Sequence, residues 1–311
     1  MKRFVKIFES NGRTIKKTPE VFEYLTALVQ SDERISSELS EVRISPQNWS
    51  LGGGVHFVAA HKSDGAPVIL KVGAYPNEVK WFNEIFIRAP KLCPRLYAKG
   101  IIIGDIRIGW MITEAILYGP LGPLWQGEEF TLLIEAGVEF QLVSRDAGMR
   151  SVPEMTLDRL MAKLEAGLQR GAPSAAGPVV KRAPDDFDWI SHCLEWEICH
   201  GDLHLCNGRT RVRAPRGPAV LIDFQPIRQP WALDAAYLQV LNSSDPKRPG
   251  FRGLIPKMAD ARRKRDMTTA KDIARVSRKC LGWLAISRWG LGAGNDPPSY
   301  QRALSEYMKA A

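Results

Sequence analysis

Three residues carry the densest chemical signal in the chain: Asp202 and Asn207 within CHGDLHLCN (199–207), and Asp223 within AVLIDFQ (219–225). An aspartate five residues before an asparagine, followed by a second aspartate at the end of an apolar run, can place two carboxylates and an amide around one magnesium–phosphate cluster. Asp202 then orients an attacking hydroxyl or takes its proton. Asn207 and Asp223 hold the metal, with the asparagine supplying a neutral oxygen.

Upstream, Gly52, Gly53 and Gly54 lie between two strand-like runs, where the lack of side chains lets backbone amides approach phosphates. Lys71, in VILKV, follows Gly54 at a separation that suits a glycine turn, one hairpin and a third strand. A lysine bridging two phosphates needs a carboxylate to position it. Glu78 is favoured over Glu84, because Trp81, Phe82 and Ile85 share the helical face of Glu78 and fix that face against a core. In MITEAI (111–116), an extended apolar run ahead of a bend offers an adenine slot. The carbonyl of Glu114 and the amide of Ile116 are its best hydrogen-bonding positions, with Thr113 beside the base.

The elements that must hold these residues change character along the chain. Thr18-Pro19-Glu20 opens a helix striped by Val21, Phe22, Leu25, Leu28 and Val29, which could pack across the small lobe or into a dimer. Short β-favouring runs follow: VRISPQNW, VHFVAAHK and PVILKV, then LYAKGIII and RIGWMITEAI beyond a helix from about Asn77 to Ile87. YGPLGPLWQG (118–127) suits a bend. After it the period becomes 3.6, with Phe130, Leu133, Ile134, Val138 and Leu142 on one face and Leu157, Leu160, Met161, Leu164 and Leu168 on another. RGAPSAAGP (170–178) interrupts, a helix is expected over 185–196, and the remainder reads as mostly helical. The expected fold class is α+β: a bilobal, protein-kinase-like chain with a small antiparallel-sheet lobe bearing one main helix over 1–116 and a mostly helical catalytic and substrate-binding lobe over 117–311.

The combined order of these motifs resembles the aminoglycoside phosphotransferase-like kinases, and more closely the branch with choline and ecdysteroid kinase-like proteins. The resemblance spans about residues 42–240. His200-Gly201-Asp202 with Asn207 is similar to the family's catalytic HGD and downstream asparagine, and Asp223 to its metal-binding aspartate. Gln225 in IDFQ and the segment NEVKWFNEI (77–85) resemble the choline/ecdysteroid-like branch, and the latter supports Glu78 as the lysine's partner. WALDAAYL (231–238) is similar to a family helix whose aspartate, here Asp234, supports the catalytic loop. The resemblance implies transfer of ATP's terminal phosphoryl group to a small-molecule hydroxyl, with Mg²⁺. Departures are Gln141-Leu142 in place of Leu-His, Ala235 after Asp234, and the basic insertion RTRVRAPRGP after the loop.

Composition narrows the class further. With 311 residues, 45% of them hydrophobic, the chain can bury one large core or two lobes. Five cysteines, an odd number in a long chain, read as cytosolic thiols and packing residues; the His192, Cys193, Cys199, His200, His204 and Cys206 cluster lacks paired zinc-ligand spacing. MKRFVKIFES has no apolar run of signal length and IIIGDIRIGWMI is broken by charge, so a cytoplasmic chain without a membrane span is expected. Net charge is +9, but the basic stretch at 260–266 has no aromatic interleaving and reads as a solvated helix face, which disfavours nucleic acid. His200 reads as a loop-organising group, and His204 is open between that and a substrate or phosphate contact. DDFDW (185–189), Glu195 and Glu197 are the only acidity available to a cationic acceptor. A catalytically weak or inactive nucleotide-binding scaffold is the alternative function. The short IDFQPIRQPWALD segment leaves little room for a protein kinase's activation segment. The oligomeric expectation is a monomer or homodimer.

Overall fold

The computed structural model describes residues 18–46, 54–74, 76–119, 128–148, 152–213, 217–242, 253–291 and 297–309. The chain divides into two compact units, Met1–Ile116 and Leu117–Ala311, and its architecture is bilobal α+β. Gly52 and Gly53 lie outside the described residues.

The first unit opens with α1 (Pro19–Ser31) and the short α2 (Glu33–Ser36). The Thr18 hydroxyl accepts from the Val21 amide at 3.4 Å, and Pro19 occupies the first turn, where a missing N–H costs nothing. Five antiparallel strands follow in the order β1-β2-β3-β5-β4: β1 (Leu39–Ile44), β2 (Val55–His61), β3 (Pro67–Ala74), β4 (Leu96–Gly100) and β5 (Gly109–Glu114). Helix α3 (Pro76–Arg88) lies between β3 and β4 in sequence. Val21, Leu25 and Val29 of α1 share one core with Phe57, Leu70, Trp110 and Ile112 of the sheet. The N-terminal helix is therefore part of this unit's core, and its i, i+4, i+8 apolar stripe is what the sheet covers.

The second unit is mainly helical: α4 (Glu128–Asp146), α5 (Leu157–Gln169), α6 (Ala176–Cys193), α7 (Ala232–Asn242), α8 (Leu254–Arg263), α9 (Ile273–Arg288) and α10 (Pro297–Met308). Two small antiparallel ladders interrupt them. β6 (Trp196–Cys199) pairs with β9 (Ile227–Pro230), and β7 (Gly208–Arg209) pairs with β8 (Val220–Leu221). Where the sequence predicts a loop at 170–178 and a helix over 185–196, α6 begins at Ala176, runs through Pro184 and stops at Cys193. Gly177 and Pro178 fall in its first turn, where they are tolerated. Ala176, Val179, Ala183, Asp186 and Ile190 are buried at helical spacing, so packing of that face outweighs the hydrogen bond lost at Pro184.

Several buried charges of this unit are paired internally. Arg262 is fully buried, donating to Gln141 Oε1 at 2.5 Å, Glu197 Oε1 at 2.9 Å and Glu195 Oε2 at 3.2 Å, while Arg145 pairs with the same two glutamates. One arginine of the basic 260–266 stretch is thus a core residue, correcting the expectation of a wholly solvated face. Its guanidinium is buried because two carboxylates and an amide oxygen meet it there. Asp186, buried, accepts from Lys279 and from the Tyr307 hydroxyl.

Candidate functional site

In the first unit, Lys71 projects from β3 and Glu78 from the first turn of α3. Lys71 Nζ donates to Glu78 Oε1 at 2.5 Å with both side chains nearly buried. Glu84 lies elsewhere on the helix and pairs with Arg88 at 2.6 Å. Burial of Val79, Phe82 and Ile85 on α3 holds the Glu78 side of the helix inward. Gly54 precedes β2 at a point where any Cβ would lie 2.0 Å from the Val72 carbonyl oxygen, so close approach of two strands demands glycine there. Thr113 is buried on β5, its hydroxyl 3.5 Å from the Ile69 carbonyl. The Glu114 amide donates to Arg95 O and the Ala115 amide to Pro67 O, extending the sheet up to Ile116, which is buried.

In the second unit the β6–β9 ladder delivers the chain to His200, and the Gln225 amide donates to the His200 carbonyl at 3.0 Å. Gly201 turns the loop with φ +80°, and a Cβ at this position would sit 1.9 Å from the Gln225 carbonyl oxygen, so both conformation and space exclude a side chain. Asp234, at the start of α7, is buried and accepts from the amides of His200 (2.8 Å) and Gly201 (3.3 Å) and from Gln229 Nε2 (3.1 Å). Burial nevertheless pushes its carboxyl up to about 7 against those donors. His200 is also buried: its Nε2 donates to Ile222 O at 3.1 Å and its Nδ1 accepts from the Asp202 amide at 3.3 Å. Burial lowers His200 to about 4, so it stays neutral and organises the loop.

This scaffold presents Asp202 with three side-chain partners. The Tyr237 hydroxyl donates to Oδ1 at 2.7 Å, Asn207 Nδ2 donates to Oδ2 at 2.9 Å and to the Asp202 carbonyl at 2.9 Å, and His204 Nε2 lies 3.5 Å from Oδ2. Burial raises the Asp202 carboxyl, but the His204 hydrogen bond and charge and the Tyr237 hydroxyl outweigh it and hold it at about 2. Burial likewise lowers His204, and Asp202 together with Cys206 more than reverses this, raising it to about 9. At neutral pH Asp202 is a carboxylate, and His204, whose Nδ1 accepts from the Cys206 amide at 3.2 Å, takes a second proton only by giving up that bond. Burial, ahead of the Asp202 charge, raises the Tyr237 phenol, which therefore remains a donor. Tyr237 was not singled out from the sequence; the available signal was its position one turn after Asp234 on a helix whose other face is apolar.

The β7–β8 ladder and the Ile222 amide, which donates to Asn207 O at 3.0 Å, zip together the segments leading from Asn207 and into Asp223. Asp223 adopts φ 55°, a left-handed conformation that aspartate tolerates better than bulkier residues, directly before buried Phe224. With the Asn207 amide nitrogen committed to Asp202, its oxygen is the atom left for a cation. An amide oxygen and a partly exposed carboxylate suit a hard cation such as Mg²⁺, which takes one or two protein oxygens and completes its shell with phosphate and water. Among the described residues no group of three or more His, Cys, Asp or Glu gathers as a metal cage. The structure thus brings Lys71 to Glu78 within the first unit and Asp202, Asn207 and the Asp223 strand together within the second.

Comparison with solved structures places the fold. A protein of Ralstonia eutropha JMP134 provisionally described as an aminoglycoside phosphotransferase aligns with a TM-score of 0.59 at 12% identity, covering 94% of this chain and 98% of that one. A choline/ethanolamine kinase family protein of Mesorhizobium loti aligns with a TM-score of 0.55 at 14% identity, over 93% and 92%. The choline kinase LicA of Streptococcus pneumoniae gives 0.55 at 15%, over 92% and 99%. No protein-family model matches the chain, and no curated protein sequence does. The chain shares its fold with these aminoglycoside phosphotransferase and choline kinase structures, and identities of this size show the fold alone. No helix among the described residues is long and apolar enough to cross a membrane.

Proposed function

We propose that the chain is an ATP-dependent phosphotransferase acting on the hydroxyl of a small molecule. The observation that carries this reading is the Asp202 knot, an ionised carboxylate fixed by Tyr237, Asn207 and His204 on a loop whose neighbouring strand leads into Asp223.

The acceptor oxygen forms a bond to the terminal phosphorus of ATP as the bond from that phosphorus to the bridging oxygen breaks. ADP leaves with the electron pair, and the hydroxyl proton passes by way of Asp202 to solvent. Held near pKa 2, Asp202 orients that hydroxyl and accepts its proton only as bonding to phosphorus acidifies it. Asn207 Oδ1 and the Asp223 carboxylate would hold Mg²⁺, which when bound neutralises phosphate charge. Lys71, held by Glu78, would bind phosphate oxygens, with backbone at Gly52, Gly53 and Gly54 alongside. Thr113 and the backbone of Glu114 and Ile116 are the proposed adenine contacts.

Calorimetric titration with ATP, with and without Mg²⁺, tests this in the wild type and a folded Asp223→Ala variant. Metal-dependent binding that weakens strongly in the variant is expected. Folded wild-type protein that ignores nucleoside triphosphates at physiological concentrations would overturn the reading and favour an inactive scaffold.

A further inference from the structure

Among the described residues, positive charge stands beside the Asp202 knot without a counter-ion. Arg288 closes α9, and its guanidinium carbon lies 5.4 Å from the centroid of the Tyr237 ring. The hydroxyl of that same ring donates to Asp202 Oδ1. Arg288 is therefore one tyrosine ring away from the carboxylate assigned to the acceptor hydroxyl. Among the described residues its side chain makes no hydrogen bond or ion pair, and its Nε is buried without a partner. A desolvated, unpaired guanidinium nitrogen is costly unless a ligand satisfies it.

Lys163 reinforces this charge from α5, a helix packed against α9. Lys163 is exposed overall; desolvation along its stem, followed by the positive charges of Arg159 and Arg288, shifts its ammonium below the usual lysine range, so the three cations feel one another. Arg159 donates to the Glu154 carbonyl, whereas Lys163 has no hydrogen bond or ion pair among the described residues. Much of the acidity that a cationic acceptor would need is occupied: Glu195 and Glu197 by Arg145 and Arg262, and Asp186 by Lys279, while Asp185 and Asp188 stand exposed on α6. Arg275 and Arg278 also have buried Nε atoms without partners, but Arg278 lies ten residues before Arg288, roughly 15 Å along the helix.

We propose that the acceptor is an anion: a hydroxyl compound bearing a carboxylate or phosphate group, which Arg288 binds with Lys163 beside it while the hydroxyl meets Asp202. The guanidinium fork matches either oxyanion through two parallel hydrogen bonds. The fate of the hydroxyl rests on the phosphotransferase reading, whereas the anion site rests on the Arg288 environment.

Ligand-observed NMR without nucleotide would test the site, using glycerate and glycerol 3-phosphate as anions, glycerol as the neutral control, and choline and kanamycin as cations. Wild-type protein should bind the anions at least about tenfold more tightly than the other probes, with that advantage lost in Arg288→Gln and partly recovered in Arg288→Lys, since a charged hydrogen bond is worth roughly tenfold or more. Thermal unfolding checks that both variants fold, and Arg288→Lys keeps the test decisive if the glutamine variant does not. Preference for choline or kanamycin, no anion binding by the wild type, or anion binding indifferent to both substitutions would overturn the proposal. Mg-ATP titration of the same samples separates the two readings. Anion binding that depends on Arg288 without ATP binding supports the anion site and breaks the phosphotransferase reading; ATP binding without anion binding does the reverse.

Discussion

Arg262 and Arg288 stand in the last turns of consecutive described helices of one unit, yet their surroundings are opposite. Arg262 is wholly excluded from solvent and meets Gln141, Glu195, Glu197 and the Thr268 carbonyl. Arg288 is part-exposed, lies on the Tyr237 ring and finds no carboxylate among the described residues. A buried charge survives only if the fold supplies its counter-charges. A charge left open beside an ordered carboxylate can be completed by something from outside. The same side chain is thus a structural element in one place and a recognition element in the other.

The largest effect that would sharpen this contrast is expected at the carboxylate the open region serves. Asp202→Ala should lower phosphoryl transfer by ~10²–10⁴, as read by ADP release from a variant shown by denaturant titration to be folded. A variant that keeps the wild-type rate on the true acceptor would remove Asp202 from the mechanism. Glu197→Ala comes next: it strands Arg262 and should cost about 3–5 kcal/mol in denaturant unfolding. Arg288→Ala should cost no more than about 1 kcal/mol, because no folded-state ion pair is lost. Equal losses at the two sites would collapse the distinction.

Tyr237→Phe should have a smaller effect, removing one hydrogen bond to an ionised carboxylate and lowering turnover roughly tenfold, with little change in ATP affinity. The smallest effect concerns pH. Since His204 is raised to about 9, its contribution to stability is complete below its unfolded value near 6.5 and is lost as pH rises through 9. In metal-free protein this alkaline loss should disappear in His204→Gln, and an unchanged stability profile between pH 6.5 and 9 would argue against the Asp202–His204 pair.

Much of the fold was legible because its signals are local. Thr18-Pro19 marks the start of α1, the alternating runs mark the five-stranded sheet, and the 3.6-residue apolar period marks α4 and α5. The extent of α6 was not, because Gly177, Pro178 and Pro184 are local breakers and only burial of the Ala176–Ile190 face favours the longer helix. At the site, motif spacing singled out Lys71, Glu78, Asp202, Asn207 and Asp223. The partners of Asp202 were hidden, since Tyr237 is thirty-five residues away and reaches Oδ1 only when α7 packs under the loop.

By itself, the sequence determined where the chain can turn, which faces seek burial and which oxygen and nitrogen groups recur at phosphate-handling spacing. These follow from properties each residue carries into any context: dihedral freedom, hydrophobicity and donor type. Tertiary structure alone decided the protonation states of His200, His204 and Asp234, the burial of Arg262 and the openness of Arg288. Electrostatic energies depend on distance, desolvation and the charges arriving from remote segments, and no local pattern encodes those.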